Sequence, residues 1–471
     1  MVDIIIIGSG IIGSMLAYDL SHFNVSVCVL EKNVEIMNEV SSANSGLVHT
    51  GYDPEEGTLK AKLNLLGAKR YPEIARNLNV DYEQVGSLLV SNRLEDHDIL
   101  MNLANRAKSR NIPYEYLTQD EVRKKEPNIS DTVVEALFFP TTAIITPWQM
   151  GFACMNYAVS NGVELHRQTE VVGIEKTDHY RVLTNKGVFE SKIVINCSGL
   201  NGVRVAKYHN PETSHQIEFR KGEYQVSDIR DADYLNHVIY PLPTKLGKGV
   251  LALKTIEGNL MFGPTSKVIE NGYDFSTTRS GLMEVDSKIS EIIKPLPKNR
   301  LIRQFAGVRP TSLSKDFIIE DCDQFINVIG IDSPGLASSP GISEYVIQEF
   351  IQKHLTLVEK ERCVDFKWKK HLSFEERNQL IQEDVKYGRI VCVCETISEK
   401  EIMNAIHLPV GARSIKGVKR ITRPGSGRCQ GGFCESEVVR ILARELNVDM
   451  KDIPYDNNLF LTPLGGHHEK L

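Results

Sequence analysis

Four cysteines cluster near the end of a 471-residue chain. Cys392 and Cys394 form a C-x-C pair, and Cys429 and Cys434 form C-x4-C inside the stretch GRCQGGFC. Cysteines that only fill space scatter, so two close pairs point to a shared task. Four thiolates can bind one tetrahedral zinc ion, although C-x-C is less usual there than C-x2-C. They can equally bind a [2Fe–2S] cluster. Disulfides are disfavoured in a reducing compartment. Gly427, Gly431 and Gly432 let the backbone wrap such a site and turn N–H groups toward sulfur. Lys419, Arg420, Arg423 and Arg428 either offset its negative charge or form a solvated face. The helix expected after Cys434, in ESEVVRILARELNV, turns its positive end toward the thiolates.

A second set of residues with chemistry opens the chain. The apolar run Ile4 to Ile7 reads as a buried parallel strand. Gly8, Gly10 and Gly13 follow in G-x-G-x-x-G spacing, then a helical stretch with Ile12, Leu16 and Leu20 on one face. A second strand, Val25 to Leu30, ends at Glu31. Glycines here give the tight turn, the close approach to a pyrophosphate and the helix–strand packing of a dinucleotide site. The helix N-terminus supplies N–H groups to the phosphates, and the acidic residue about twenty positions on meets a ribose hydroxyl. A position at the extreme N-terminus favours FAD.

His49 lies in SSANSGLVHTGYDP, a small-residue loop with no helical periodicity. On its own such a histidine is more often structural than catalytic. Two further strand-to-loop junctions, KIVINCSGLNG and NVIGIDSPGLASSPGIS, resemble the first in kind. Turns at strand C-termini line the ligand crevice of an open α/β sheet, so three of them indicate one large extended cofactor.

These pieces need a framework. The expected fold is mixed α/β and α+β: a Rossmann-like dinucleotide domain from residues 1–85, 145–214 and 301–355. Residues 86–144 and 215–300, the latter rich in β runs broken by turn signals, form an inserted antiparallel-sheet substrate domain. Residues 356–386 are highly charged and read as a surface linker, with a helix beginning near Ser373. Residues 387–455 form a small helical thiolate domain, in which Ser398 and Glu401 make a capping box. Residues 456–471 are a tail whose adjacent histidines are read as disordered. The formal net charge of -6 disfavours nucleic acid as a partner. No apolar run reaches the length of a membrane span, and the N-terminal run is too short for a signal peptide. A cytoplasmic protein is expected, reaching a membrane only through partner subunits. Nine cysteines are present, and the five solitary ones (Cys28, Cys154, Cys197, Cys322 and Cys363) are expected as small buried hydrophobes.

The first 355 residues resemble the D-amino-acid-oxidase-like superfamily of FAD oxidoreductases. Within it they are similar to the branch of glycerol-3-phosphate oxidases and L-2-hydroxyglutarate oxidases. The resemblance is carried, in order, by GSGIIGSMLAYDL, SSANSGLVHTGYDP, TLKAKLNLLGAKRY, KKEPNIS, RKGEY, GKGV, FGPT, GVRP and SPGLASSPGIS. It implies FAD contacts at Gly8, Gly10, Ile12, Gly13, Glu31, Ser42, Ser45, Gly46, Val172, Ser198, Gly199, Gly335 and Leu336. It implies that His49 is the base beside the flavin ring, and that Lys248, Arg309 and Ser338 contact a small anionic substrate. The last quarter resembles the bacterioferritin-associated-ferredoxin-like [2Fe–2S] domain, through the pattern TR…G-x-G-x-C-Q-G-x-x-C. That implies Cys392, Cys394, Cys429 and Cys434 as the ligands of a [2Fe–2S] cluster.

The two resemblances together imply a dehydrogenase rather than an oxidase. A hydride moves from a substrate CH–OH group to flavin N5, and electrons leave through the cluster to an acceptor, a second flavoprotein or a quinone-linked subunit. The expected substrate is sn-glycerol 3-phosphate, giving dihydroxyacetone phosphate. The alternatives are an L-2-hydroxyglutarate dehydrogenase and a non-catalytic electron-transfer flavoprotein subunit.

Overall fold

The structure is a computed structural model. It describes residues 1–243, 249–296, 300–369, 371–457 and 459–460, the last two by backbone only. Lys248 and the tail histidines lie outside the described residues.

The run VDIIII forms the strand Val2–Ile7, whose Ile4, Ile5 and Ile6 are fully buried. Burial on both sides is what a near-continuous apolar run requires of a central parallel strand. It pairs in parallel with Val27–Leu30 on one side and with Gly187–Asn196 on the other. Eight strands build this sheet, extended by Glu164–His166 beyond Val27–Leu30 and by Phe325–Ile329 beside Gly187–Asn196. The helix Ile11–Leu20 follows the glycine turn. All ten of its residues are buried, not the one face expected from the sequence. It is sandwiched between the sheet and the helices Pro147–Ser160 and Gly335–Val346. Its one buried acid, Asp19, is held by Arg70 at 2.8 Å.

Among the described residues a second sheet has nine strands. The sequence reading placed residues 301–312 in the dinucleotide domain. The strand Leu301–Ser312 instead joins the second sheet, pairing along nearly its whole length with Ile217–Ser227. Nor is this sheet wholly antiparallel: Val238–Pro241 runs parallel to Ser87–Ser91. That pair joins the two separated chain segments of the unit. A small sheet of Leu47–Val48, Tyr82–Gln84 and Ala143–Ile145 sits where the two large sheets meet.

The charged stretch 356–386 is a strap rather than a free linker. Lys360 N–H donates to His22 O at 2.8 Å, and Trp368 N–H to Leu78 O at 2.7 Å. The Trp368 ring is buried in the core of the first unit. Trp368 and the half-buried Phe366, which packs against the same core, anchor the otherwise polar segment. The helix Phe374–Ile381 begins after Ser373, which forms a capping box with Glu376. The last unit packs three short helices, Glu399–Ile406, Ile415–Thr422 and Glu435–Leu446, around Ile402, Val418, Val438 and Leu442. The expected capping box of Ser398 and Glu401 is present. Cys28, Cys154 and Cys197 are buried as expected, whereas Cys322 and Cys363 are half-buried.

Helix and sheet meet at backbone distance. A Cβ on Gly13 would lie 2.0 Å from Gly8 O. Gly13→Ala is therefore expected to destabilise the first unit by about 1–3 kcal/mol, read as a lower melting temperature together with weaker retention of the dinucleotide.

Candidate functional site

A cavity of 1760 Å³ lies between the two large sheets. Gly8, Gly10, Ile12, Glu31, Ser45, His49, Ser198, Gly199, Arg309, Gly335 and Leu336 all line it. Three separated strand ends thus open on one space. Gly8 has φ +101°, a left-handed conformation that favours glycine, and a Cβ there would lie 2.6 Å from Cys197 O. Glu31 closes the second strand. Its Oε2 accepts from Ser9 N–H at 3.0 Å and Ser9 Oγ–H at 2.7 Å, and its Oε1 from Asn33 N–H at 2.9 Å. Burial pushes the Glu31 carboxyl up, and these three donors oppose it.

Other expected residues sit elsewhere. Ser42 turns away and donates to Glu39 O at 3.1 Å; its neighbour Ser41 lines the cavity and accepts from Ile11 N–H at 3.0 Å. Gly13 and Gly46 lie behind the wall, in backbone packing against Gly8 O and Ile145 O. Val172 is 52% exposed and its side chain points off the sheet, away from the cavity. Ser338 is fully buried and donates to Pro334 O at 3.0 Å, at the packing of its helix against Gly67.

His49 follows the two-residue strand Leu47–Val48, which is pinned by Ala143 and Ile144. Asn64 Nδ2–H donates to its carbonyl at 3.0 Å. The ring nitrogen Nδ1 lies 3.0 Å from Tyr240 Oη, 191 residues away. Burial first, then Asp53, pushes the Tyr240 phenol up, so it stays neutral. Tyr240 was not singled out in the sequence, where it is one aromatic in a β run. Arg309 projects from the strand Leu301–Ser312, and its Nη2 donates to Thr265 O at 3.2 Å. Among the described residues it makes no ion pair with a carboxylate, so its charge faces the cavity. A base and a guanidinium on one cavity wall can take a proton and grip an anion.

The four clustered cysteines come together in crossed pairs. Cys394 Sγ lies 3.8 Å from Cys429 Sγ, and Cys392 is hydrogen-bonded to Cys434. One tetrahedral zinc, with Zn–S near 2.3 Å, would bring all four sulfurs within about 3.8 Å of one another. Among the described residues no three of these sulfurs lie within 4.8 Å of one another. Two separated pairs suit two irons with two thiolates each. Backbone N–H groups of Gly425 and Glu395 point at Cys392, and those of Phe433 and Gly431 at Cys429. The contact between Cys392 and Cys434 pulls the Cys392 thiol down and pushes the Cys434 thiol up. The nearby cations do not stand bare around the cysteines. Arg420 pairs with Asp456 and Arg428 with Asp228. Arg423 pairs with Glu257 and Glu395, and Lys419 donates to Gly425 O.

Residues 3–349 match the DAO family, described as FAD dependent oxidoreductase. The chain belongs to this family. Residues 390–444 match the BFD-like [2Fe-2S] binding domain, which spans all four cysteines. The chain is 40% identical over 468 residues to a glycerol 3-phosphate dehydrogenase of Caloramator mitchellensis, covering 97% of each. It is 30% identical over 362 residues to the glycerol 3-phosphate oxidase of Mycoplasma genitalium, covering 74% of this chain and 94% of that one. The dithionite-reduced L-alpha-glycerophosphate oxidase from Mycoplasma pneumoniae, solved with FAD bound, superposes with a TM-score of 0.75 at 27% identity. It covers 79% of this chain and 99% of that chain. The DAO oxidoreductase thus carries FAD in one unit and a [2Fe–2S] domain in another. Among its described residues no helix is long and apolar enough to cross a membrane. Iron and acid-labile sulfide analysis of the purified protein should give the two-iron composition, and Cys394→Ser should lose most of it. Stoichiometric zinc in place of iron would contradict the crossed pairing.

Proposed function

We propose that this oxidoreductase is a dehydrogenase that converts sn-glycerol 3-phosphate to dihydroxyacetone phosphate. The single observation that carries the reading is the wall holding His49 and Arg309 together, in a chain that also holds four thiolates. Bound FAD supplies the two-electron acceptor, and a bound cluster takes electrons singly.

The chain's own part is position and proton handling. His49 acts as base through Nε2, which requires the proton of the neutral ring on Nδ1. The Tyr240 oxygen, 3.0 Å away, is placed to accept that Nδ1–H, as the base role requires. Arg309 binds the phosphate remote from the reacting carbon and orients the hydroxyl toward the base. Lys248 is the second cation proposed for that anion. Ser41, the Gly8 turn and Glu31 hold the cofactor's phosphates and ribose.

Electrons then leave to an acceptor protein, a second flavoprotein or a quinone-linked subunit. The surface of the cluster loops supports this direction. Val393, between two ligands, is 80% exposed, and Phe433, beside a third, is 88% exposed. Large apolar side chains in the open next to a redox group suit a protein partner rather than water.

Anaerobic flavin bleaching with glycerol 3-phosphate, 2-hydroxyglutarate, lactate and amino acids tests the reading. Glycerol 3-phosphate should bleach fastest. Arg309→Leu should raise its KM by roughly 10- to 150-fold, the loss of one charge-assisted hydrogen bond. Faster bleaching by 2-hydroxyglutarate would replace the phosphate reading with a carboxylate one.

A further inference from the structure

The helix Ile415–Thr422 lies between the cluster loops and the rest of the molecule, and two acids from outside its own unit, Glu35 fully buried and Glu257 half-buried, grip it at opposite ends. At its N-terminus Glu35, fully buried, accepts from Arg413 N–H at 2.7 Å and from Ser414 Oγ–H at 2.9 Å. Gly417, one turn in, permits this approach: a Cβ there would lie 2.0 Å from Glu35 Oε1. Arg167, also of the flavin-binding part, lies 3.5 Å from Glu35 and donates to Gly411 O at 2.9 Å. Asn156 Oδ1 accepts from Val410 N–H at 2.8 Å.

At the C-terminus the helix is stopped by Arg423, which has φ +69° and is buried. Its Nη1 pairs with Glu257 at 3.1 Å, and its Nε donates to Glu395 at 2.8 Å. Glu395 follows the ligand Cys394. Glu257 belongs to a turn of the second sheet and also accepts from Thr146 Oγ–H at 2.7 Å. Thr146 follows Ile145, whose N–H donates to Gly46 O at 2.8 Å; Gly46 lies between the cavity-lining Ser45 and Leu47. Hydrogen bonds, an ion pair and backbone therefore run unbroken from the flavin cavity wall to the residue next to a cluster ligand.

We propose that this helix is a docking element: Glu35 and Glu257 clamp it from opposite ends and fix the cluster loops on the flavin-binding part, which makes Glu257 and Arg423 positioning residues for flavin-to-cluster electron transfer. The proposal rests on the reading that the four thiolates hold a cluster. Carrier domains that shuttle electrons between sites are joined by mobile linkers. Here the joint is instead built from buried ionic and backbone contacts, and the 356–386 strap is laid against the first unit. A polar pocket of 260 Å³ at the joint, lined by Asp81, Gln149, Glu257, His371, Glu395 and Arg423, leaves room for water. Glutamine at position 257 keeps the size of the side chain and an acceptor for Thr146 while removing the charge that Arg423 pairs with.

Glu257→Gln and Gly417→Ala disturb the two ends independently. Two readouts on the holoenzyme test them. The first is hydrogen–deuterium exchange of residues 410–423, compared with the helix Glu435–Leu446. The second is photoreduction of the bound flavin without substrate, followed by optical and EPR detection of the reduced cluster. Both variants should raise exchange in 410–423, leave 435–446 protected and leave the cluster's EPR signal unchanged. Flavin-to-cluster transfer should slow by about tenfold or more, as expected when a fixed geometry is loosened. Wild-type exchange and transfer rates in both variants would overturn the proposal. So would an altered EPR signal, which would make these residues supports of the cluster itself. Photoreduction needs no substrate, so a wrong substrate assignment leaves this test readable.

Discussion

A dinucleotide phosphate can sit against a helix N-terminus only if no side chain stands between them, and this constraint organises the larger part of the molecule. The glycine turn after Val2–Ile7 meets it with backbone alone. Gly8 is held in a left-handed conformation against Cys197 O, and Gly13 is in contact with Gly8 O. The first strand, the first helix and the strand Gly187–Asn196 are thereby locked at distances that admit no methyl group. From this lock the central sheet, the buried helix and the mouth of the cavity follow. The second sheet then closes the cavity and brings Arg309 and Tyr240 to the wall that holds His49.

The parts of this arrangement that were legible in the sequence are local. Glycine spacing, the isoleucine run, the helix start near Ser373, the capping box at Ser398 and the paired cysteines each state their structure within a few residues. Contacts between distant segments were not legible. Tyr240 meets His49 across 191 residues, and nothing near either residue marks the meeting. Ser41 replaces Ser42 at the cavity because side-chain direction in a short irregular loop depends on its packing, which the residue types do not specify. Leu301–Ser312 moved to the second sheet because its partner, Ile217–Ser227, is a long strand whose register only the fold reveals. The strap was read as linker because charge dominates its composition, while Trp368 and Phe366 decide where it lies.

Charge at the joint of the two redox units shows the same contrast. Lys419, Arg420, Arg423 and Arg428 read as a basic run beside the cysteines, and a balancing role for cluster charge was the natural expectation. Most of them are committed to carboxylates instead. Burial raises the Glu257 carboxyl, but the Arg423 guanidinium and the hydrogen bond from Thr146 together outweigh it and hold it below the usual range. Lys419, half-buried beside Arg303 and Lys416, is pushed down to about 6 by desolvation first and then by those cations. Buried ion pairs add little net stability but are costly to break, by about 3–5 kcal/mol when one partner is removed. Such contacts specify one arrangement of two units more than they strengthen it. The cluster's own charge is met chiefly by backbone N–H groups around the sulfurs.

The central claim is that one chain takes two electrons from glycerol 3-phosphate at the cavity and passes them on through its own thiolate site. Anaerobic mixing of the oxidised holoenzyme with glycerol 3-phosphate, followed by freeze-quench EPR, tests it most directly. The account predicts that the signal of a reduced [2Fe–2S] cluster grows in as the flavin absorbance falls, with no oxygen present. Flavin that bleaches while the cluster stays oxidised, and that recovers its colour only when oxygen is admitted, would contradict it.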